Sequence, residues 1–156
     1  MISHKAYSLT EATKKLERYC AYQERCHKEV VEKLKGMRMI PEAIDQITTH
    51  LIQENFLNEE RFSKSYARGK FTIKKWGKNR IVNELKLRQV SKFNIKSALA
   101  EINEEDYHRT LDELAKKRVT QISETNVQKK KKKLADYLLY RGWESNLVYE
   151  KLKELI

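Results

Sequence analysis

The chain has 156 residues and a formal net charge of +11, and 35% of its residues are charged. It contains only four glycines and one proline, which disfavours a turn-rich β architecture and any Gly/Ser linker. No window of about 18 apolar residues is present, which excludes a membrane-spanning helix. The N-terminal segment has no apolar core of signal-peptide length, so we expect a cytoplasmic protein.

Apolar residues recur at helical spacing along almost the whole chain, and no segment alternates with a period of two. In the first third, this spacing predicts a helix over residues 10–23, a second from about Lys28 to Gly36, and a third that begins at Pro41. Ser8 or Thr10 is expected to cap the first of these helices. The fold is therefore predicted to be all-α.

The apolar pattern of the first third recurs twice further along the chain. A shift of 51 residues superposes Leu34 on Leu85, and a further shift of 53 residues superposes Leu85 on Leu138. The same shifts align Val30 with Ile81 and Leu134, and Ile44 with Ile95 and Val148. Such self-similarity indicates tandem units, although unrelated amphipathic helices also coincide at many positions. We predict three three-helix, helix-turn-helix-like repeats over residues 1–55, 56–102 and 103–156.

The residues that end the middle helices differ between the predicted repeats. Gly142 follows Arg141 at a helix end, where glycine commonly adopts a left-handed conformation. Arg38 and Gln89 occupy the equivalent positions. A residue other than glycine costs about 1 kcal/mol in that conformation, so we expect these two turns to be built differently.

Positive charge is concentrated in the second repeat. Residues 56–102 hold 12 basic and four acidic side chains, and Glu84 is the only acid between Arg61 and Lys96. The first helix of this repeat, from Asn58 to about Lys74, is predicted to expose one basic face, made of Arg61, Lys64, Arg68 and Lys75, and to bury Phe62, Tyr66 and Ile73. The residues predicted to extend the basic surface are Lys70, Lys74, Lys78, Arg80 and Arg88. Such a block is typical of a surface that meets phosphates, although solvated helix faces also collect basic residues.

Three further features are candidates for partner or DNA binding. Trp76 lies at a helix break and either stacks on a base or partner, or fills a gap between helices. A lysine run opens a helix of the third repeat, where cations oppose the helix dipole. An anionic partner would explain Lys129, Lys130, Lys132 and Lys133, and a solvated run without a role is the alternative. Arg141 completes the predicted binding residues.

No catalytic motif is found in the sequence. Nucleotide-binding glycine loops, the HExxH zinc motif and the GxSxG serine motif are all missing. Cys20 and Cys26 lie in a helical stretch, where they would be about 9 Å apart along the axis, too far for a disulfide. We expect reduced thiols, no metal or other cofactor, and a protein that is not an enzyme.

Three segments resemble the signatures of the RecX family. The segment NFLNEERFSKSYARGK, followed by WGKNRIVNEL, is similar to the family's central signature. KLADYLLYRGW resembles the third-repeat signature, and LERYCAYQERCHKEVVEKL resembles the first. The likeness extends over about residues 15–153. It departs from the family at Met37–Arg38–Met39 and Arg88–Gln89–Val90, where a Lys–Gly–aliphatic turn is usual, and the leading helix of the third repeat looks longer than usual.

The resemblance implies an elongated, curved array of three-helix units that lodges in the helical groove of the RecA–single-stranded DNA filament. It implies a regulator that modulates, and chiefly inhibits, the ATPase, recombinase and coprotease activities of RecA in homologous recombination and the SOS response. We expect a monomer that binds RecA filaments and single-stranded DNA, with duplex DNA binding left open. Two alternatives are a general nucleic-acid-binding helical protein without a filament partner, and a structural adaptor whose charge serves solubility.

Overall fold

The fold consists entirely of helices in the part of the chain that the structure, a computed structural model, describes, residues 6–156. Nine α-helices hold 74% of these residues, and no strand occurs among them. The helices are α1 (Leu9–Tyr22), α2 (His27–Gly36), α3 (Pro41–Gln53), α4 (Glu59–Thr72), α5 (Lys78–Leu87), α6 (Lys92–Leu99), α7 (Glu104–Gln121), α8 (Val127–Tyr140) and α9 (Ser145–Leu155). The predicted all-α class is confirmed. None of these helices has both the length and the apolar character needed to cross a membrane.

Capping side chains fix where several helices begin. The Ser8 hydroxyl accepts a hydrogen bond from the Glu11 backbone N–H at 3.1 Å, and the Glu11 carboxylate accepts one from the Ser8 N–H at 3.0 Å. This capping box satisfies donors that helix geometry leaves unpaired. Four other helices begin with a side chain that accepts a hydrogen bond from the backbone N–H three residues later, namely Asn58, Ser91, Asn103 and Asn126. Pro41 opens α3, as predicted.

The helices form three groups of three. Helices α1 and α2 pack on α3, α4 and α5 pack on α6, and α7 and α8 pack on α9. Leu34, Leu85 and Leu138 are fully buried, one in each group. The predicted equivalence of these three leucines is confirmed, and with it the tandem three-helix architecture.

Two hydrophobic clusters divide the interior unequally. The first lies mainly in repeat one, with Leu16 and Leu51, and also includes Leu57 from the start of repeat two. The second runs through repeats two and three, from Phe62 to Leu152, and also includes Cys26 from repeat one. Repeats two and three therefore share one core, whereas repeat one keeps a core of its own.

The turns after the three middle helices have the same geometry. Gly142 has a φ of 94°, and Arg38 and Gln89 have φ angles of 61° and 60°. The prediction that the Arg38 and Gln89 turns are built differently is therefore wrong. In all three turns, the next backbone N–H bonds to the carbonyl of the buried leucine, at 3.1 Å for Met39 and Val90 and 3.2 Å for Trp143. That closing hydrogen bond and the packing of the following apolar side chain offset the left-handed strain.

Helix α4 ends earlier than predicted. It stops at Thr72, so Ile73 leaves the buried stripe and its exposed fraction is 76%, while Phe71 is buried instead. Lys75 lies past the helix end with a φ of 59°, and does not share a helix face with Arg61 as predicted. The chain turns here because the Trp76 N–H closes back on the Lys70 carbonyl at 3.1 Å. This turn directs the chain towards repeat three.

The two cysteines lie on different elements. Cys20 belongs to α1, whereas Cys26 precedes α2 as its N-cap, so the prediction of one helical stretch is wrong. Both are buried free thiols, and burial raises the pKa of each to about 11. The thiolate form is therefore scarce at neutral pH. Within residues 6–156, no three His, Cys, Asp or Glu side chains form a group that could hold a metal ion.

Truncation of Leu85 tests the shared core. We expect Leu85→Ala to lower the free energy of unfolding by about 2–5 kcal/mol, since the fully buried side chain would leave a cavity. Leu87→Ala is the matched control, because Leu87 lies on the same helix and is 65% exposed. Urea unfolding followed by circular dichroism measures both. Equal losses for the two variants would contradict the proposed packing.

Candidate nucleic-acid interface

Two glycines bring the backbones of repeats two and three into direct contact. The Gly77 N–H donates to the Arg141 carbonyl at 2.8 Å, and the Asn79 N–H donates to the Gly142 carbonyl at 3.0 Å. A Cβ on Gly77 would lie 2.5 Å from the Gly142 backbone, and one on Gly142 would lie 2.3 Å from Cβ of Arg80. Only glycine at both positions permits this approach.

Buried rings and hydrogen bonds reinforce the joint. The Trp143 indole N–H donates to the Lys75 carbonyl at 3.2 Å. The Tyr107 hydroxyl accepts from the Lys78 N–H at 2.8 Å and donates to the Glu144 carboxylate. Trp143 and Tyr107 are both 1% exposed, with ring centres 4.5 Å apart. Burial raises the pKa of Tyr107, so its hydroxyl remains a donor across the ordinary pH range.

Cations and aromatic rings alternate along the surface above this joint. The Arg88 guanidinium lies 4.9 Å from the Tyr66 ring centre, and the Lys70 ammonium lies 5.0 Å from that of Trp76. The Arg80 guanidinium lies 4.2 Å from the Trp76 ring and 4.8 Å from that of Tyr140. We call this set the cation–aromatic ladder: Tyr66, Lys70, Trp76, Arg80, Arg88 and Tyr140. The ladder joins repeats two and three at the surface, whereas Gly77 and Gly142 join them in the interior.

The ladder differs in exposure along its length. Trp76 is half-buried and packs against the shared core, with the Tyr66 ring edge-on at 6.4 Å. It therefore fills part of the gap between elements, one of its two predicted roles. Tyr140 is 76% exposed, and the face of its ring that the Arg80 guanidinium does not cover is available to stack on a planar group.

Carboxylate partners separate the predicted basic residues into two sets. Seven of them lie within ion-pair distance of an acid: Arg61, Lys64, Arg68, Lys78, Arg88, Lys132 and Lys133. The other seven have no ion pair with any described residue: Lys70, Lys74, Lys75, Arg80, Lys129, Lys130 and Arg141. A cation that already has a counter-ion must lose that contact, or share it, when it binds a phosphate. The second set is therefore better suited to an anionic partner.

Arg61 links repeats one and two. Its Nε donates to Glu24 at 2.6 Å, and its terminal nitrogens donate to the Asn55 side chain and carbonyl at 3.1 and 3.0 Å. His27 lies 3.7 Å from Glu59 across the same joint. Burial raises the pKa of Glu59, against the opposing attraction of His27. This joint thus combines ion pairs with buried apolar contacts through Cys26 and Leu57, and the donors of Arg61 are already engaged.

The remaining predicted residues lie outside the ladder. The Arg141 guanidinium donates to the Lys74 carbonyl at 2.9 Å, which places both beside the glycine contact. The lysine run occupies the start of α8, behind the Asn126 cap. Lys129 precedes Tyr140 by 11 residues on this helix, a distance of about 16 Å along its axis. The structure therefore does not bring the start of the run to the ladder.

Sequence reasoning missed two ladder residues. Tyr66 was predicted only as a core residue, although its i,i+4 spacing to Lys70 on α4 was a usable signal. Tyr140 had no such signal. It meets Arg80 only because repeats two and three pack together.

These features define an all-α protein of three tandem three-helix repeats, with a cation–aromatic surface over the joint between the second and third. Models of the second and third three-helix domains of RecX match residues 58–99 and 104–152. Together the two matches cover more than half of the chain. The chain belongs to the RecX family.

Curated relatives agree with this assignment. Regulatory protein RecX of Yersinia enterocolitica is 34% identical over 103 residues, which are 66% of this chain and 60% of that protein. Regulatory protein RecX of Finegoldia magna is 28% identical over 121 residues, or 78% of this chain and 56% of that protein. The chain thus spans less than two thirds of the length of these relatives.

Solved structures share the fold. The crystal structure of RecX from Lactobacillus salivarius superposes with a TM-score of 0.81 at 22% identity, covering 94% of this chain and 96% of that one. A second crystal structure of a regulatory protein RecX gives a TM-score of 0.83 at 23% identity, covering 94% and 73%. At this level of identity the likeness establishes the arrangement of helices.

Substitution of Gly142 tests the contact between the repeats. We expect Gly142→Ala to destabilise the protein by about 1–3 kcal/mol or more, because the methyl group would meet Arg80 and φ is positive. In Gly69→Ala, the new methyl has no neighbour within 4 Å, and α4 should be unaffected or slightly stabilised. Thermal unfolding of the two variants measures the difference. A Gly142→Ala protein as stable as the Gly69→Ala control would disprove the close contact.

Proposed function

We propose that this chain binds the filament that RecA recombinase forms on single-stranded DNA, and lowers its ATP hydrolysis or halts its extension. It would act as a monomeric, cytoplasmic regulator rather than as an enzyme. Membership of the RecX family supports this proposal, as does the description of its relatives as regulatory proteins. The observation that carries it is the cation–aromatic ladder with its neighbouring unpaired cations.

The chemistry of the ladder suits a single strand of nucleic acid. Cations that neutralise phosphates release condensed counter-ions, which favours binding at low salt. Lys70, Lys74 and Arg80 have no carboxylate to release first within the described chain. Exposed rings such as that of Tyr140 supply stacking surfaces that tolerate any base. The two kinds of contact match a polymer that carries alternating phosphates and planar bases.

The three repeats suit a filament better than an isolated strand. Residues 56–102 carry a net charge of +8, whereas residues 1–55 carry +1 and residues 103–156 carry +2. Repeat two would lie nearest the phosphates, and the nearly neutral outer repeats would meet protein. Linked weak contacts add through a high effective concentration, provided that all of them can form together.

Titration of preformed filaments tests the proposal. We expect substoichiometric to equimolar amounts of the protein to lower steady-state ATP hydrolysis by RecA on single-stranded DNA. Filament length, measured by electron microscopy, should fall or stop increasing. If neither quantity changes while the protein still binds bare DNA with a steep salt dependence, it is a general nucleic-acid binder instead.

Neutralisation of ladder cations tests the site. We expect Lys70→Gln combined with Arg80→Gln to weaken binding to the filament and to single-stranded DNA. The slope of log K against log salt should fall by about 1.4, or 0.7 for each lost phosphate contact on a single strand.

The matched control is Lys64→Gln combined with Arg68→Gln. It removes the same charge from the same repeat, but both residues are paired, with Glu60 and Glu101. The control should change affinity and salt slope much less than the ladder variant. Equal effects would show that net charge, and not the ladder, determines binding.

A further inference from the structure

Repeat three contains a cleft that the ladder does not include. It lies between the end of α7 and helix α8, and has a volume of about 470 Å³. Binding sites for small ligands commonly measure about 300–1,000 Å³. Its lining includes Arg118 from α7, the loop residue Ser123, and Lys133, Tyr137 and Tyr140 from α8.

Arg118 has donors that the protein does not satisfy. Its guanidinium lies 4.5 Å from the Tyr137 ring centre. Its Nε is buried and has no hydrogen-bond partner among the described residues. Its Nη1 has only a long contact, 3.4 Å, to the Gln121 side chain. Arg118 as a whole is partly exposed, so its terminal nitrogens, and not the buried Nε, are the donors that an acceptor in this cleft can reach.

The charges that line the cleft favour an anion. Lys133 lies 3.7 Å from Glu124, a loose ion pair. The acid that lines the cleft, Asp136, is already held by Lys132 at 2.8 Å. Arg118 forms no ion pair within residues 6–156. The cleft thus presents a guanidinium and an ammonium group that an incoming anion can bind.

The cleft is continuous with the ladder through Tyr140. This residue lines the cleft and also contacts Arg80. Because the Arg80 guanidinium lies 4.2 Å from the Trp76 ring centre and 4.8 Å from that of Tyr140, the two ring centres are within about 9 Å of each other. One extended chain can therefore contact the ladder and enter the cleft. A ligand with an anionic group and a planar ring in every unit matches both places, whereas an acidic peptide offers only the anions.

We propose that this cleft binds one nucleotide of a single-stranded nucleic acid whose neighbouring nucleotides lie on the ladder. Arg118 and Lys133 bind the phosphodiester, and the exposed ring of Tyr140 stacks on the base. The proposal rests on the proposed function in one respect, that the ladder contacts DNA. It adds a second phosphate site, on repeat three, and a path for the strand from the ladder across the joint between repeats two and three.

Fluorescence anisotropy with a labelled oligothymidylate of about 16 nucleotides, a length within the usual single-strand site sizes, tests the proposal. We expect Arg118→Gln to lower affinity about tenfold, as for the loss of one charge-assisted hydrogen bond, and to reduce the salt slope by about 0.7. Lys117→Gln is the matched control, since Lys117 is the exposed neighbouring residue on α7 and does not line the cleft. It should change affinity less than twofold.

The Arg118→Gln variant also loses the contact between Arg118 and Tyr137, and this loss could unfold repeat three. A second pair of variants, which keeps that contact, covers this case. Lys133→Gln should also weaken strand binding, whereas Lys131→Gln, two residues away on the same helix and outside this cleft, should not. Thermal unfolding establishes that all four variants are folded. If both cleft variants bind like their controls, the subsite is overturned.

The outcomes for the subsite and for the proposed function are separable. A wild-type protein that lowers filament ATP hydrolysis without binding the free oligothymidylate overturns the subsite and leaves the regulator. Loss of strand binding in the ladder variant but in neither cleft variant has the same meaning. Weaker strand binding in the cleft variants, together with a wild-type protein that does not change filament ATP hydrolysis, supports the subsite and overturns the regulator.

Discussion

The contact between Gly77 and Gly142 is the constraint on which the surface of this protein depends. Because neither residue has a side chain, the start of α5 bonds directly to the turn that follows α8. Arg80, in the first turn of α5, is thereby brought to Tyr140 at the end of α8. Any side chain at either glycine would separate the repeats and interrupt the cation–aromatic ladder. A close approach of two backbones in the interior thus determines which charges and rings meet on the outside.

The two joints between repeats use different physics. Repeats two and three share a hydrophobic cluster that contains Tyr107 and Trp143, whose burial is insensitive to salt. Repeats one and two share fewer buried residues, Cys26 and Leu57 among them, and are also joined by partly exposed ion pairs such as Arg61–Glu24, which contribute less to stability. Repeats two and three therefore form the more strongly held part of the molecule. A surface that crosses their joint can keep its geometry when a polymer binds to it.

Net charge alone is a poor guide to the binding surface of a basic helical protein. Half of the 14 basic residues predicted as binding residues already have a carboxylate partner. Arg61, which lies in the most basic repeat, instead connects repeat two to repeat one through Glu24 and Asn55. Among the cations without such partners, Lys129 and Lys130 lie at the start of α8, whereas Lys70, Arg80 and Arg141 lie over aromatic rings. Cation–π contacts orient these groups without neutralising them, so they remain attractive to phosphates.

The sequence by itself determined the helices, the three-repeat pattern and the buried leucines, because these depend on local periodicity and on capping residues such as Asn58. It did not determine where α4 ends, since the turn at Trp76 forms against repeat three. It also led to a wrong expectation for Arg38 and Gln89, because the packing of the next apolar residue is invisible in local propensity. The ladder and the cleft required the tertiary structure for the same reason. Arg80 and Tyr140 are 60 residues apart in the chain, and only the packing of two repeats brings them together.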